Sequence, residues 1–214
     1  MRRLTVAVLS AIVVGLMLVP SGVSAGTKMI VVPDRTGDLS KMYYSDTGEP
    51  RNGWGDNAPI VLAGYFDITS VWLVQEGKTY ALGMGLAGNL PKVGDALPPG
   101  ISSAHWDLYI ESAPWDPANP APFLFVIRLA YDGSSYSSNL LDRGAGVTIP
   151  LPLTLDGSEF EMTFSADSVG RLSGSWVSFG VMVFWGAGGY FNVDNSDPGA
   201  VPGLEYWDFP WPFA

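Results

Sequence analysis

The chain lacks cysteine altogether, and this absence excludes several kinds of site at once. Without thiolates there is no lipoprotein anchor, no cysteine nucleophile, no thiolate zinc site and no covalent attachment of a c-type haem. No disulfide can support the fold, so a hydrophobic core has to supply its stability. A chain of 214 residues is long enough to build such a core.

Basic residues and histidine are scarce. Eleven Lys and Arg residues stand against 21 Asp and Glu residues, and this balance argues against nucleic acid and anionic membrane surfaces as partners. His105 is the one histidine. There is no nucleophile elbow, phosphate loop or zinc motif, so the sequence supports neither a serine triad nor a nucleotide or zinc enzyme.

Only one long apolar run is present, and it lies at the N-terminus. Arg2 and Arg3 precede apolar residues 4–18, and Val23-Ser24-Ala25 offers the small-x-small pattern that signal peptidase accepts. We therefore predict a cleaved signal helix over residues 1–25 and a secreted mature chain without a membrane span. A membrane anchor is the alternative, but the run is shorter than the about 20 residues that a spanning helix needs. Loss of two basic residues leaves nine against 21 acidic ones, a mature net charge of −12.

Residues 26–214 read as one all-β domain. Gly and Pro interrupt the chain too often for long helices, while aromatic and β-branched residues fill the intervals. Residues 79–87 alternate bulky and small side chains, as a half-buried strand requires. Further strands are predicted over 29–32, 67–74, 105–110, 123–131, 135–141, 151–155, 160–164 and 176–185, with one helical turn over 166–169 and a long loop over 34–64.

These strands predict an antiparallel two-sheet sandwich of eight to ten strands with a jelly-roll-like arrangement. Asp132-Gly133-Ser134 and Asp156-Gly157 are hairpin signals between apolar runs. Strand 176–185 is apolar on both faces, which places it centrally in a sheet. The C-terminal tail, residues 205–214, holds five aromatic residues, and we expect it to dock against the sandwich.

Several short motifs resemble secreted prokaryotic β-sandwich domains near the family-nine carbohydrate-binding modules and the DOMON-like domains. They are Asp34-x-x-Gly37-Asp38, Asp67-Ile68-x-Ser70-Val71, Gly77-x-Thr79-Tyr80, Met84-x-Leu86-Ala87-Gly88-x-Leu90-Pro91, Asp132-Gly133-Ser134-Ser135-Tyr136 and the acidic loop from Asp194 to Pro198. The resemblance covers most of residues 30–200 and implies an extracellular binding or surface-display module, in some relatives with a structural calcium ion. One sandwich hosts many activities, so these turn motifs imply the fold more strongly than the function.

Loop aspartates are the candidate metal ligands, since carboxylate oxygens at strand ends suit Ca²⁺. Aspartate is also an ordinary turn former, so both interpretations stay open. None of these residues forms an EF-hand loop. The candidate calcium ligands are Asp34, Asp38, Asp67, Asp194 and Asp197.

Tryptophan is the candidate for sugar contact, because the apolar face of a pyranose packs on an aromatic ring. Trp54 and Trp115 lie in loops rich in Gly or Pro and are the candidate ligand-binding residues, although packing beneath a loop is equally open. Trp72, Trp106 and Trp176 fall within strand patterns, which predicts that they belong to the core.

The sequence also offers residues for two further kinds of site. A haem iron between His105 and Met84, as in haem-bearing DOMON-like relatives, is one alternative to an exposed histidine beside Asp107. A glycosidase needs two carboxyls about 5 to 10 Å apart. Glu159 and Glu161 share one strand face that should be solvated, and Glu111 ends another strand.

The sequence thus predicts a secreted, non-catalytic module that binds an extracellular glycan or a surface protein, with Ca²⁺ as the one candidate ion. A structural or adhesion component of the cell surface is the alternative, and a glycan hydrolase is a remote one.

Overall fold

The computed structural model describes residues 28–34, 36, 42–44, 63–113, 123–170, 172, 174–185, 189–195 and 209–210. Side chains are described for all of these except 28–30, 42–44, 185, 189–195 and 209–210. The predicted signal peptide lies outside these residues. No helix in the described part of the chain is long and apolar enough to cross a membrane.

The described chain forms two antiparallel sheets, as the sequence predicts. The smaller sheet has five strands in the order β1-β3-β4-β10-β9, with bounds Lys28–Pro33, Ile68–Glu76, Thr79–Leu86, Glu159–Ser165 and Leu153–Asp156. The larger sheet has the order β2-β12-β11-β5-β6-β7-β8, with bounds Met42–Tyr44, Gly189–Asn195, Trp176–Trp185, Ile101–Glu111, Phe123–Tyr131, Tyr136–Asp142 and Val147–Pro150. Nine of these strands are six residues or longer, in line with the expected eight to ten.

Of the remaining elements, the predicted helical turn is present, whereas a 3-10 turn and a short strand were not predicted. A single helical turn, α1 (Ala166–Val169), begins at Ser165, whose hydroxyl accepts a hydrogen bond from the Asp167 backbone N–H at 3.1 Å. A 3-10 turn covers Gly64–Phe66. The predicted loop over 34–64 contains β2 and otherwise lies mostly outside the described residues.

The two described residues of the aromatic tail pair with the larger sheet. Phe209–Pro210 forms a short strand, β13, whose backbone pairs with Trp176 and Val177 of β11. Farther along the same strand, β12 pairs with Gly180 to Trp185. The expected docking of the tail is therefore confirmed at these two residues.

The core lies between the sheets, and strand alternation decides which residues enter it. Alternate residues of β3, β4 and β10 meet alternate residues of β5, β6 and β11 in one cluster. Trp106 is completely buried there, and its indole N–H donates to the Tyr65 carbonyl at 2.8 Å. As expected for a strand that is apolar on both faces, β11 lies centrally, between β12 and β5.

The predicted hairpin turns are present. Between β6 and β7, Gly133 has a φ of +84°, which favours glycine. The Asp132 carboxylate accepts hydrogen bonds from the backbone N–H groups of Ser134 and Ser135, both at 2.8 Å. The bonds from Ser135 and Ser134 lower the pKa of Asp132 to about 2. This aspartate is a turn former of the kind that the sequence suggested.

Candidate functional site

A row of five residues crosses the outer face of the smaller sheet, the face turned away from the core. Each residue pairs with the next across neighbouring strands, and the order is Val31, Trp72, Gly83, Glu161 and Thr154. Their neighbours along the strands, such as Leu73 and Met162, are in the core. Because side chains alternate along a strand, the row itself projects outward.

Gly83 allows the Trp72 indole to lie on the sheet. A Cβ atom at Gly83 would be 2.0, 2.1 and 2.4 Å from the indole atoms Cε2, Cζ2 and Nε1. A Cβ projects outward from the pleat, so the indole occupies the space directly above the glycine. One ring face is therefore turned to the backbone and the other away from it. Trp72 is half-buried, which leaves part of the ring accessible.

A carboxylate borders the indole. The Trp72 Nε1–H group donates to Glu161 Oε2 at 3.5 Å. In the next row along the sheet, Gly85 pairs with Glu159, and Glu159 pairs with Asp156. Glu159 and Asp156 are exposed, which confirms that Glu159 is solvated, whereas Glu161 is half-buried and was predicted to be solvated as well. We call Trp72, Gly83, Gly85, Glu159 and Glu161 the Trp72 platform.

The position of Trp72 corrects one expectation, because its strand pattern had predicted a core residue. Trp72 lies between buried Val71 and Leu73 in an unbroken apolar run, which conceals the alternation of faces. The available signal was in the partner strand, where Gly83 and Gly85 alternate with Leu82 and Met84. Two glycines on one face of a strand leave room for a large neighbouring side chain.

Four other tryptophans were assigned from the sequence, and their outcomes differ. Trp106 is in the core, as predicted. Trp176 is half-buried on the outer face of the larger sheet, beside core residue Val177, so the prediction of a core position was wrong for it too. Trp54 and Trp115 lie outside the described residues, and their predicted contact with ligand stays a prediction.

Asp107 and Arg128 form an ion pair on the outer face of the larger sheet, in which the carboxylate is completely buried and the guanidinium is half-buried. The guanidinium donates from Nε to Asp107 Oδ1 at 2.8 Å and from one terminal nitrogen to Oδ2 at 2.6 Å. The Tyr109 hydroxyl donates to Oδ2 at 3.0 Å. Burial raises the pKa of Asp107, while the bonds from Arg128 and Tyr109 oppose that rise. Asp107 faces away from the core as expected, but it is completely buried rather than exposed.

Two neighbours of this pair on β5 are also withdrawn from water. Glu111 is completely buried and accepts a hydrogen bond from the Ser178 hydroxyl at 2.8 Å. His105 packs its ring on Phe184, with centroids 4.4 Å apart. Burial, with a smaller effect of the Arg128 charge, lowers the pKa of His105 to about 3, so the imidazole is neutral at ordinary pH. The exposed polar face expected for His105 is therefore wrong.

The fold separates the two residues of the haem alternative, and it also separates Glu111 from the other two carboxyls of the glycosidase alternative. Met84 is buried in the core from the smaller sheet, whereas His105 alternates with core residues Ala104 and Trp106 and faces outward from the larger one. The larger sheet thus separates the two side chains. Glu111 likewise lies in the other sheet from Glu159 and Glu161.

Two of the five candidate calcium ligands are brought to one end of the smaller sheet. The Asp34 N–H donates to the Thr69 carbonyl at 3.0 Å. Thr69 follows buried Asp67 by two residues, so this bond brings the two aspartates to the same end of the sheet. Asp194 is in β12 of the larger sheet, while Asp38 and Asp197 lie outside the described residues. Within the described set, no group of three or more His, Cys, Asp or Glu residues could hold a metal ion. Because Ca²⁺ takes about six to eight oxygen ligands, two carboxylates would supply only part of a site.

Comparison with protein-family models, curated proteins and solved structures found no match for this chain.

Proposed function

We propose that the protein is a secreted, non-catalytic carbohydrate-binding module that holds a sugar ring on the Trp72 platform. The observation that carries this proposal is the indole of Trp72, which occupies the space directly above Gly83 and remains partly accessible. An aromatic ring fixed in this way offers an apolar surface to a pyranose. It also loses little conformational entropy on binding, because its orientation is set beforehand.

The polar groups beside the ring suit a sugar as well. Glu161 borders the indole edge at 3.5 Å, and exposed Thr154 pairs with Glu161 across the next strand. Carboxylates and hydroxyls accept hydrogen bonds from sugar hydroxyls. An apolar face with a few polar groups at its border is the usual composition of a small-molecule site.

Binding is tested with the exported protein on a glycan array, with and without calcium, followed by calorimetric titration of the glycans retained. We expect Trp72→Ala to weaken binding about tenfold or more. The matched control is Phe184→Ala, which removes another half-buried aromatic from the outer face of the larger sheet and should leave affinity unchanged. Equal loss in both variants, or unchanged affinity in Trp72→Ala, contradicts the proposal.

Gly83→Ala tests the same site without removing the ring. The new methyl group would overlap the indole, which must then leave the sheet, while the backbone conformation is one that alanine also adopts. We expect a folded protein with reduced glycan affinity. A reducing-sugar assay on the same glycans should show no release, since the proposed role is binding.

A structural or adhesion role is the second candidate, and one observation favours it. Val31 pairs with Trp72 and is 40 % exposed, so the platform continues into an apolar edge that a protein could cover. Sedimentation analysis distinguishes the two functions. Concentration-dependent association that Trp72→Ala abolishes, without glycan binding, would support the adhesion role and contradict the carbohydrate one.

A further inference from the structure

The Trp72 platform is bordered by negative charge on one side. Glu159 and Glu161 project from β10, and Asp156 pairs with Glu159 from the edge strand β9. Glu159 and Glu161 are two residues apart on one strand, so about 7 Å separates their Cα atoms. Three carboxylates therefore lie along one side of the indole over a distance comparable with one or two sugar rings.

The side chains described for this sheet supply no positive charge beside these carboxylates. None of the described side chains in its five strands is basic. Lys78, in the turn between β3 and β4, lies 3.2 Å from Asp167 and belongs to an ion pair away from the platform. The mature chain also carries a net charge of −12, which attracts cations and repels acidic polymers.

An indole flanked by carboxylates is suited to a cation as well as to a sugar ring. The face of a tryptophan attracts ammonium groups through its quadrupole. A carboxylate beside it forms a charge-assisted hydrogen bond with the same group. All three carboxylates would repel an acidic glycan. A neutral glycan would carry no positive charge to compensate them.

We infer that the platform takes a cationic amino sugar, with the pyranose on Trp72 and its ammonium group directed to Glu161 and Glu159. This inference rests on the proposed carbohydrate function and names the substrate class of the same site. The simplest probe is a β-1,4-linked glucosamine oligomer.

Three hexamers with one backbone separate this inference from the function on which it rests. The β-1,4-linked oligomers of glucosamine, N-acetylglucosamine and glucose differ only in carrying an ammonium, an acetamido or a hydroxyl group at carbon 2. Titration of the exported protein with each, slightly below neutral pH and at low salt, should give the highest affinity for the glucosamine hexamer. Equal or tighter binding of the neutral hexamers overturns the inference and keeps the proposed function. Absence of binding to all three overturns the inference, and the glycan array then decides the proposed function separately.

Charge variants test the assigned contacts. Glu161→Gln keeps the shape of the side chain and should lower affinity for the glucosamine hexamer about threefold to tenfold, with little effect on the neutral hexamers. Glu76→Gln is the matched control, because it removes an exposed carboxylate at the far end of β3. Added salt should weaken only the cationic ligand. Equal effects of the two variants overturn the inference, since they indicate nonspecific attraction to an acidic protein.

A lysine hexamer identifies the remaining alternative, a basic peptide. It carries ammonium groups but no pyranose, so we expect weak binding that Trp72→Ala changes little. If the lysine hexamer binds as tightly as the glucosamine hexamer, and Trp72→Ala abolishes both, the occupant is a basic peptide and the amino-sugar inference is overturned.

Discussion

The ion pair on the larger sheet gives the sharpest stability prediction. Arg128→Met keeps much of the length of the side chain but leaves the carboxylate of Asp107, which is completely buried, without its two guanidinium bonds of 2.8 and 2.6 Å. Removing one partner of a buried pair costs about 3–5 kcal/mol. For a domain of this size each kcal/mol lowers Tm by about 2–4 °C, so we expect a decrease of about 6–20 °C.

The pH dependence of this variant follows from the same carboxyl group. Without Arg128, burial raises the pKa of Asp107 with little to oppose it. A carboxyl whose pKa is raised in the folded state favours folding below its ordinary value of 3.8 and loses that contribution as pH rises through the folded pKa. The deficit of Arg128→Met relative to the natural protein should therefore be largest near neutrality and shrink as pH falls.

Urea unfolding of the purified protein measures the change as a shift in midpoint at constant slope. Lys78→Met is the matched control, because it breaks an ion pair whose side chains are 80 and 73 % exposed. That variant should cost less than about 1 kcal/mol. The double variant Asp107→Leu/Arg128→Met should recover most of the loss, since an apolar pair of similar volume is often neutral. A cost below about 1 kcal/mol for Arg128→Met would refute the reasoning.

Four other predictions use simpler measurements. The pKa of His105 is lowered from 6.5 to about 3, so between these pH values the unfolded chain binds a proton that the folded chain does not. The free energy of unfolding should therefore fall as pH falls through this range. Urea unfolding at several pH values should show a smaller fall for His105→Gln. If Asp34 and Asp67 hold calcium, Tm should rise in millimolar calcium and fall with chelator, Asp67→Ala should blunt the response, and identical melting curves would remove the site. N-terminal sequencing of exported protein should begin at Gly26, and retention of residues 1–25 in a membrane fraction would contradict a cleaved signal. Far-ultraviolet circular dichroism of the mature chain should be dominated by strand, and a mainly helical spectrum would be inconsistent with the two sheets.

The sequence predicted nine of the described strands because period-two patterns and glycine turns are local signals, but it did not predict β2, β8, β12 or β13. The hairpin between β3 and β4 and the single turn α1 were both recognisable from a few adjacent residues. The order of strands in each sheet could not be recognised in this way, because it depends on pairs such as β5 with β11, which are about 70 residues apart along the chain. Local patterns contain no information about such partners.

The main error of the sequence prediction concerned how far side chains on the outer faces of the sheets are buried. Asp107 and His105 were placed on the correct side of β5, but alternation separates core from outer face and does not separate exposed from buried on that outer face. Partners on other strands, Arg128 on β6 and Phe184 on β11, determine those environments. The prediction that Trp72 is in the core was wrong for a related reason, because the residue on which its indole lies, Gly83, belongs to another strand.

The pairing of strands that are far apart along the chain affects the order in which the sheets can fold. β4 pairs with β10, and β5 pairs with β11, so each sheet is completed only by strands from the last third of the described chain. Hairpins β3–β4 and β6–β7 can close early because their loops are short, whereas the long-range pairs require costly loop closure. Until β10 and β11 arrive, β4 and β5 present unpaired edges bearing apolar side chains. A chain shortened before β11 should therefore aggregate rather than form a smaller sandwich.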